Sequence, residues 1–242
     1  MAGLEEGEFR DRASLALPGR QAELIRRVAA TGTPVVVVLV GGSAATMPWL
    51  EDVGAVLDAW YPGEAGGEAL ANLLLGDAYP AGRLPITFPV AEGQLPLTYR
   101  HEPTGRGDDY VDLPGAPLFP FGHGLSYTTF EYGGLVVEGR QEDGARVRLR
   151  VRNSGSRAGD EVVQVYLRDP VASVARPVLA LAAFTRVALA PGEEREVALW
   201  LPRSAFEVLD DGLRPVVEPG PVTVLVGSSS GDLRLRGTIP SR

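Results

Sequence analysis

A partial, mostly parallel α/β layer followed by an all-β sandwich of immunoglobulin or fibronectin type III type is the fold class that the sequence predicts. Three observations carry it. Pro34-Val-Val-Val-Val-Leu-Val40 is a continuous β-branched run, the pattern of a strand buried on both faces of a parallel sheet. In Arg146-Val-Arg-Leu-Arg-Val-Arg152 arginines alternate with apolar residues, so one face of that strand is wet and the other buried. Between these regions, Val90 to Pro120 is rich in Pro, Gly and Asp and shows no period.

Up to about Pro89, helices and strands alternate. Gln21 to Ala30 places Leu24, Ile25 and Val28 on one helical face, entered at Pro18-Gly19 and left at Gly32. Val53 to Ala59 reads as a second strand. Glu68 to Leu75 reads as a helix with Leu70, Leu73 and Leu74 inward, closed by Gly76, and Leu84 to Phe88 as a third strand. Three strands leave an open sheet edge, so this region reads as half a domain that would self-associate. Further along, strands are expected at Glu161–Leu167, Val178–Leu189, Glu194–Leu201, Val222–Val226 and Leu233–Ile239. The turn residues Asn153-Ser-Gly155, Pro191-Gly192, Asp211-Gly212 and Pro219-Gly220 separate them. The boundaries that follow are 1–98 for the α/β part, 99–121 for a linker or long loop, and 122–242 for the sandwich.

Composition removes several classes of function. The chain has no cysteine and two histidines, His101 and His123, far apart in sequence, so neither a disulfide nor a metal site is expected. The net charge is −8 with no basic block, which argues against nucleic acid as a partner; all 23 basic residues are arginine, a bias of genomic rather than functional kind. No apolar run is long enough to span a membrane, and the first residues show no signal-peptide pattern. Periplasmic, secreted and cytoplasmic locations all stay open.

Local motifs each have an ordinary structural reading. Gly41-Gly-Ser43-Ala-Ala45 nearly matches a serine nucleophile elbow. Alanine stands where the last glycine belongs and no Asp-then-His order follows, so Ser43 reads as a cap for the next helix. Gly63-Glu-Ala-Gly-Gly67 opens a helix after a strand but lacks the spacing and the lysine of a phosphate loop. Tight packing is the better use of its glycines. Trp60 and Tyr61 fall at the end of a parallel strand, where they could stack on a sugar ring or pack in the core.

Three longer stretches go further. Asp11-Arg-Ala-Ser-Leu-Ala-Leu-Pro-Gly19 comes first. Ala59-Trp-Tyr-Pro-Gly-Glu-Ala-Gly-Gly67 with Gly76-Asp-Ala-Tyr-Pro-Ala-Gly-Arg-Leu-Pro-Ile-Thr-Phe-Pro89 comes second. Phe119-Pro-Phe-Gly-His-Gly-Leu-Ser-Tyr-Thr-Thr-Phe130 is the third. In order and spacing they resemble the C-terminal portion of glycoside hydrolase family 3 enzymes of bacterial β-glucosidase type. That portion comprises the second half of the α/β sandwich and a fibronectin type III-like domain. The resemblance implies cofactor-free retaining hydrolysis of β-linked glucosides, xylosides or N-acetylglucosaminides by two carboxylates, with a β-linked glucoside or oligosaccharide as the expected substrate. The nucleophile is an aspartate in a Ser-Asp-Trp context on an N-terminal barrel, and the acid/base glutamate lies three residues before an Asp-Arg pair. Here that position is Glu8. Phe9 and Arg10 replace the usual glycine and aromatic residue, so Glu6 and then Glu5 remain alternatives. The sequence has no Ser-Asp-Trp and no set of eight barrel strands. The chain is therefore expected to be inactive alone and to meet substrate through a barrel it lacks. The competing reading is a non-catalytic carbohydrate-binding or scaffolding module.

Overall fold

A computed structural model describes residues 7, 9, 12–105 and 107–240 in two compact units. The first comprises residues up to 78 with 88–97 and 117–119, and the second 79–87, 98–116 and 120 onwards.

The first unit is the α/β layer. Helix α1, Gln21–Ala29, carries Glu23 in its first turn and Arg26 and Arg27 in its last, which matches the helix dipole. Strands β1, Val36–Leu39, and β2, Ala55–Asp58, pair in parallel from Val36 opposite Ala55 to Leu39 opposite Asp58. Helix α2, Gly66–Leu75, ends at Gly76 in the left-handed conformation, whose N–H bonds the Leu73 carbonyl. Trp49 and Phe88 are the largest side chains fully buried in this unit, beside Val37, Ala44, Ala45 and Met47.

Three expectations change here. Leu84–Phe88 is not a strand: Phe88 alone forms an antiparallel bridge, with Phe119. Pro85 and Pro89 have no N–H to give a ladder, which is the physical reason. Leu74 does not point inward but is 50% exposed, and β1 is not buried on both faces, since Val36 is exposed. Helix α1 likewise leaves Leu24 63% exposed and Val28 in water, with Ile25 half-buried.

The second unit is the sandwich. One sheet contains β3 (Phe130–Arg140), β4 (Gly144–Asn153) and β7 (Glu194–Leu201), in that order and antiparallel. The other runs β11 (Asp232–Ile239), β10 (Val222–Ser229), β5 (Gly159–Arg168), β6 (Ala180–Leu189). A small hairpin, β8 (Glu207–Leu209) with β9 (Pro215–Val217), lies beside them. Alternate residues of β4, β5, β7 and β10 interdigitate between the sheets: Val147, Leu149 and Val151 meet Val163, Val165, Val224 and Val226. Strands β3, β8 and β9 are absent from the sequence reading. Glycines at 133, 134 and 139 dilute the alternation of β3, and the other two are only three residues long.

Strands β5 and β10 are buried almost throughout, unlike β4. Their second face is covered by chain from before the sandwich. Tyr99 stacks on Phe121 at 4.4 Å and meets Tyr166 edge-on at 5.9 Å, with Leu179 and Leu225 completing a second small core. Buried Gln164 accepts the Tyr166 hydroxyl at 2.5 Å and donates to the carbonyls of Gly122 and Ser228. The segment Tyr79–Thr87 acts as a strap on the same unit. Leu84 exchanges backbone hydrogen bonds with Gly122 and His123 at 2.8 Å, and Tyr79 donates to Asp160 at 2.8 Å. Arg83 pairs with Glu161 at 2.9 Å, their side chains only 9% and 3% exposed.

A buried ion pair is costly to break one-sidedly, because the remaining charge is stranded in a low dielectric. Arg83→Met is therefore expected to destabilise the sandwich by about 3–5 kcal/mol, while Arg83→Met with Glu161→Leu recovers most of the loss. Urea unfolding of both variants reads this directly. Equal losses in the single and the double variant would refute it.

Candidate active site

The candidate site is built at the C-terminal ends of β1 and β2, the end at which open parallel sheets place their ligands. Beyond β1, the Gly41 N–H bonds the Trp60 carbonyl at 3.2 Å, which joins the loop after β1 to the turn after β2. Trp60 holds a left-handed backbone, φ 51°, uncommon for a residue with a side chain. Its N–H donates to the Asp58 carboxylate at 3.3 Å. The indole packs edge-on against Phe88 at 6.2 Å, and Phe88 against Phe119 at 6.3 Å, so Trp60 serves core packing. Tyr61 is exposed and lies over Gly42, where a Cβ would come 2.8 Å from its ring. At Gly66 a Cβ would meet the Pro62 ring at 2.7 Å, so the glycines of the 63–67 motif serve close packing of the turn onto α2.

Ser43 does not cap a helix as expected, because none begins after it. The chain runs on without regular structure to a 3-10 turn at Leu50–Asp52. Its hydroxyl instead accepts a hydrogen bond from Arg12 Nη2 at 3.4 Å. Arg12 also donates through Nη1 to the Ala16 carbonyl at 2.8 Å. Next along the chain, Glu92 accepts the Ser14 hydroxyl at 2.6 Å and the Leu15 N–H at 2.5 Å, and the Thr46 N–H bonds the Leu15 carbonyl at 3.0 Å. The Ser14 hydroxyl and then the Leu15 N–H hold the Glu92 carboxyl below its ordinary range. Residues 12–16 are thus tied to the loop after β1 and to Glu92. Glu8, with its alternatives Glu6 and Glu5, lies outside the described residues.

Asp58 was not singled out by the sequence. Burial pushes its carboxyl up, and Oδ2 is buried without a hydrogen-bond partner. An aspartate closing an apolar strand just before Trp-Tyr-Pro-Gly was the available signal. Among the described residues no group of three or more His, Asp or Glu is placed to hold a metal ion, and no helix is long and apolar enough to cross a membrane.

The sequence pattern of the glycosyl hydrolase family 3 C-terminal domain matches residues 1–127, and that of a fibronectin type III-like domain matches residues 161–230. The chain belongs to glycoside hydrolase family 3. This family 3 chain is 42% identical over 232 residues to a β-xylosidase of Formosa agariphila, an alignment covering 93% of the chain and 32% of the relative. It is 36% identical over 241 residues to the periplasmic β-glucosidase of Salmonella typhimurium, covering 94% of the chain and 32% of the relative. A β-glucosidase from Listeria innocua, crystallised with glucose, superposes with a TM-score of 0.92 at 37% identity, over 98% of the chain and 35% of that protein. A mutant of that enzyme in complex with laminaribiose superposes equally well, at 0.92. The family 3 chain thus spans about a third of the length of the curated relatives it matches.

Asp58 yields a test with a definite sign. Burial raises its folded pKa, so the folded state is most favoured below the ordinary carboxylate range. Stability is then lost as pH rises towards the raised value. Asp58→Asn keeps the acceptor for the Trp60 N–H and removes the buried charge. It is expected to raise the thermal midpoint at neutral pH, with an advantage over wild type that shrinks as pH falls. A difference independent of pH would refute this.

Proposed function

We propose that this family 3 chain carries the general acid/base, Glu8, of a retaining β-glucosidase-like glycoside hydrolase. The nucleophilic aspartate then belongs to a barrel domain outside these 242 residues. The observation that carries the reading is the anchorage just downstream. Arg12, four residues after Glu8, is pinned to Ser43 at the C-terminal end of the parallel pair, and Ser14 is pinned to Glu92. An acid that serves a site on another domain needs a loop with a fixed base and a free reach, and residues 12–16 have the fixed base.

The chemistry needs two carboxyl groups about 5–5.5 Å apart in a retaining enzyme. One attacks the anomeric carbon while the other protonates the departing oxygen, and the second then deprotonates the water that releases the sugar. Within this chain Glu8 takes the second role, and Glu6 and then Glu5 follow it by position. The β-glucosidase names of the relatives and the glucose and laminaribiose in the Listeria enzyme support a β-glucoside as substrate.

Apolar side chains left in water support the need for further covering chain. Leu24 and Val28 on α1, Leu74 and Leu75 on α2, and Val36 on β1 are all exposed, and the two-stranded sheet has open edges. Without that cover the same faces are offered to a second copy of the chain. Sedimentation of the 242-residue protein is expected to show concentration-dependent association, reduced by Leu24→Glu with Leu74→Glu. A monomer at all concentrations would oppose it.

The catalytic reading is tested in a protein in which a family 3 barrel precedes the chain. Glu8→Ala should lower hydrolysis of alkyl glucosides and oligosaccharides by about a hundred- to ten-thousand-fold, the range of general acid–base catalysis. Activated aryl glucosides need little protonation, so their glycosylation step should be largely spared. Added azide should restore turnover and give the β-glycosyl azide. The chain alone should not hydrolyse 4-nitrophenyl β-glucoside, because it has no partner nucleophile. The same pattern from Glu6→Ala, with Glu8→Ala active, would move the role to Glu6.

A further inference from the structure

The sandwich unit holds a cavity of about 600 Å³ between the segment that joins β5 to β6 and the residues Pro103 and Asp108. This volume lies in the range of small-molecule sites. Four charged side chains line it, Arg168 and Arg176 with Asp108 and Asp169, and prolines 170 and 177 form part of the wall. The polar groups are held by the fold. Arg176 donates through Nη1 to the Glu207 carbonyl at 2.8 Å, its Nε lies 3.8 Å from Asp169, and both side chains are mostly buried. Arg168 donates through Nε to the Val178 carbonyl at 3.0 Å. The N–H of Val178 in turn bonds the His101 carbonyl at 2.9 Å, and His101 Nε2 lies 3.8 Å from Asp108. At the far side, the Ser173 N–H donates to Glu218 at 2.9 Å and pins the β5–β6 segment.

The chemistry of this lining selects a class of ligand. Two guanidinium groups and two carboxylates cancel in charge, so neither an anion nor a metal cation meets a favourable net field. A neutral polyol is different, since each hydroxyl both donates to a carboxylate and accepts from a guanidinium. The prolines offer C–H surface to the apolar face of a pyranose. No aromatic ring lines the cavity, which limits the affinity.

We propose that this cavity is a non-catalytic site for one or two units of a neutral saccharide, formed within the second unit by the β5–β6 segment with Pro103 and Asp108. The proposal is independent of the role of Glu8. It is tested on the whole chain by amide chemical-shift titration with cellobiose and xylobiose, against digalacturonate, inorganic phosphate and calcium. Saturable shifts confined to residues 101–108 and 168–178, with a Kd of about 1–10 mM for the neutral sugars, are expected. Asp108→Ala and Arg168→Ala, both at exposed positions, should each weaken binding about tenfold, the loss of one charged hydrogen bond, with an unchanged thermal midpoint. Absence of saturable shifts, wild-type affinity in both variants, or tighter binding of digalacturonate, phosphate or calcium would each overturn it.

Discussion

Burial of the Arg83 guanidinium against the Glu161 carboxylate is the constraint on which the sandwich rests. Two charges almost removed from water are tolerable only together, so β5 cannot present Glu161 to its interior unless the strap brings Arg83. The strap is then fixed on both sides of that pair. Leu84 is held by the backbone of Gly122 and His123, and Tyr79 by Asp160, which also receives Arg186. Burial and the neighbouring Arg83 charge lower the pKa of His123, so the imidazole beside the pair favours its neutral form. A sandwich cut at residue 122 would lose the strap and the Tyr99–Phe121 cover, leaving Glu161, Gln164 and Tyr166 exposed or unpartnered.

The α/β unit follows a different economy. Its interior is small and centred on Trp49 and Phe88, while Leu24 and Val28 of α1 and Leu74 and Leu75 of α2 stand in solvent. What it does build firmly is the junction at the C-terminal ends of the two parallel strands. Gly41, Trp60 and Asp58 tie the two loops to each other, and Arg12, Ser14 and Leu15 tie the N-terminal segment to the same place. A serine that resembles a nucleophile is spent on holding an arginine, and a carboxylate on holding a serine. Their chemistry is that of positioning: each holds part of the segment 12–15 against the rest of the unit.

Much of the architecture was legible in the chain itself. Alternating arginines at 146–152 specified a two-faced strand, and the valine run at 35–38 with Gly41-Gly42 behind it specified a parallel strand and its loop. The site was less legible. The Arg12–Ser43 contact joins residues 31 apart, and Ser14 meets a glutamate 78 residues away, so no local pattern announces either. The apparent strand at 84–88 misled because an apolar run of that length looks the same whether it pairs throughout or only at its ends; Leu84 and Phe88 pair, while Pro85 has no N–H to continue the ladder between them.

By itself the sequence determined the family, the order of an α/β part before a β-sandwich, and the absence of thiol chemistry, because these depend on residue type, motif order and local period. Only the tertiary structure decided which faces are covered. Strands β5 and β10 carry side chains suited to burial on both sides, yet the chain that covers the second face comes from the strap 79–87 and from Tyr99 and Phe121, tens of residues upstream. Helices α1 and α2 also carry apolar stripes, yet the same fold covers Ile25, Leu70 and Leu73 only in part and leaves Leu24, Val28, Leu74 and Leu75 exposed. Periodicity records that a face is apolar. What covers it depends on which distant segment can reach it with complementary shape and charge, and that is a property of the folded chain.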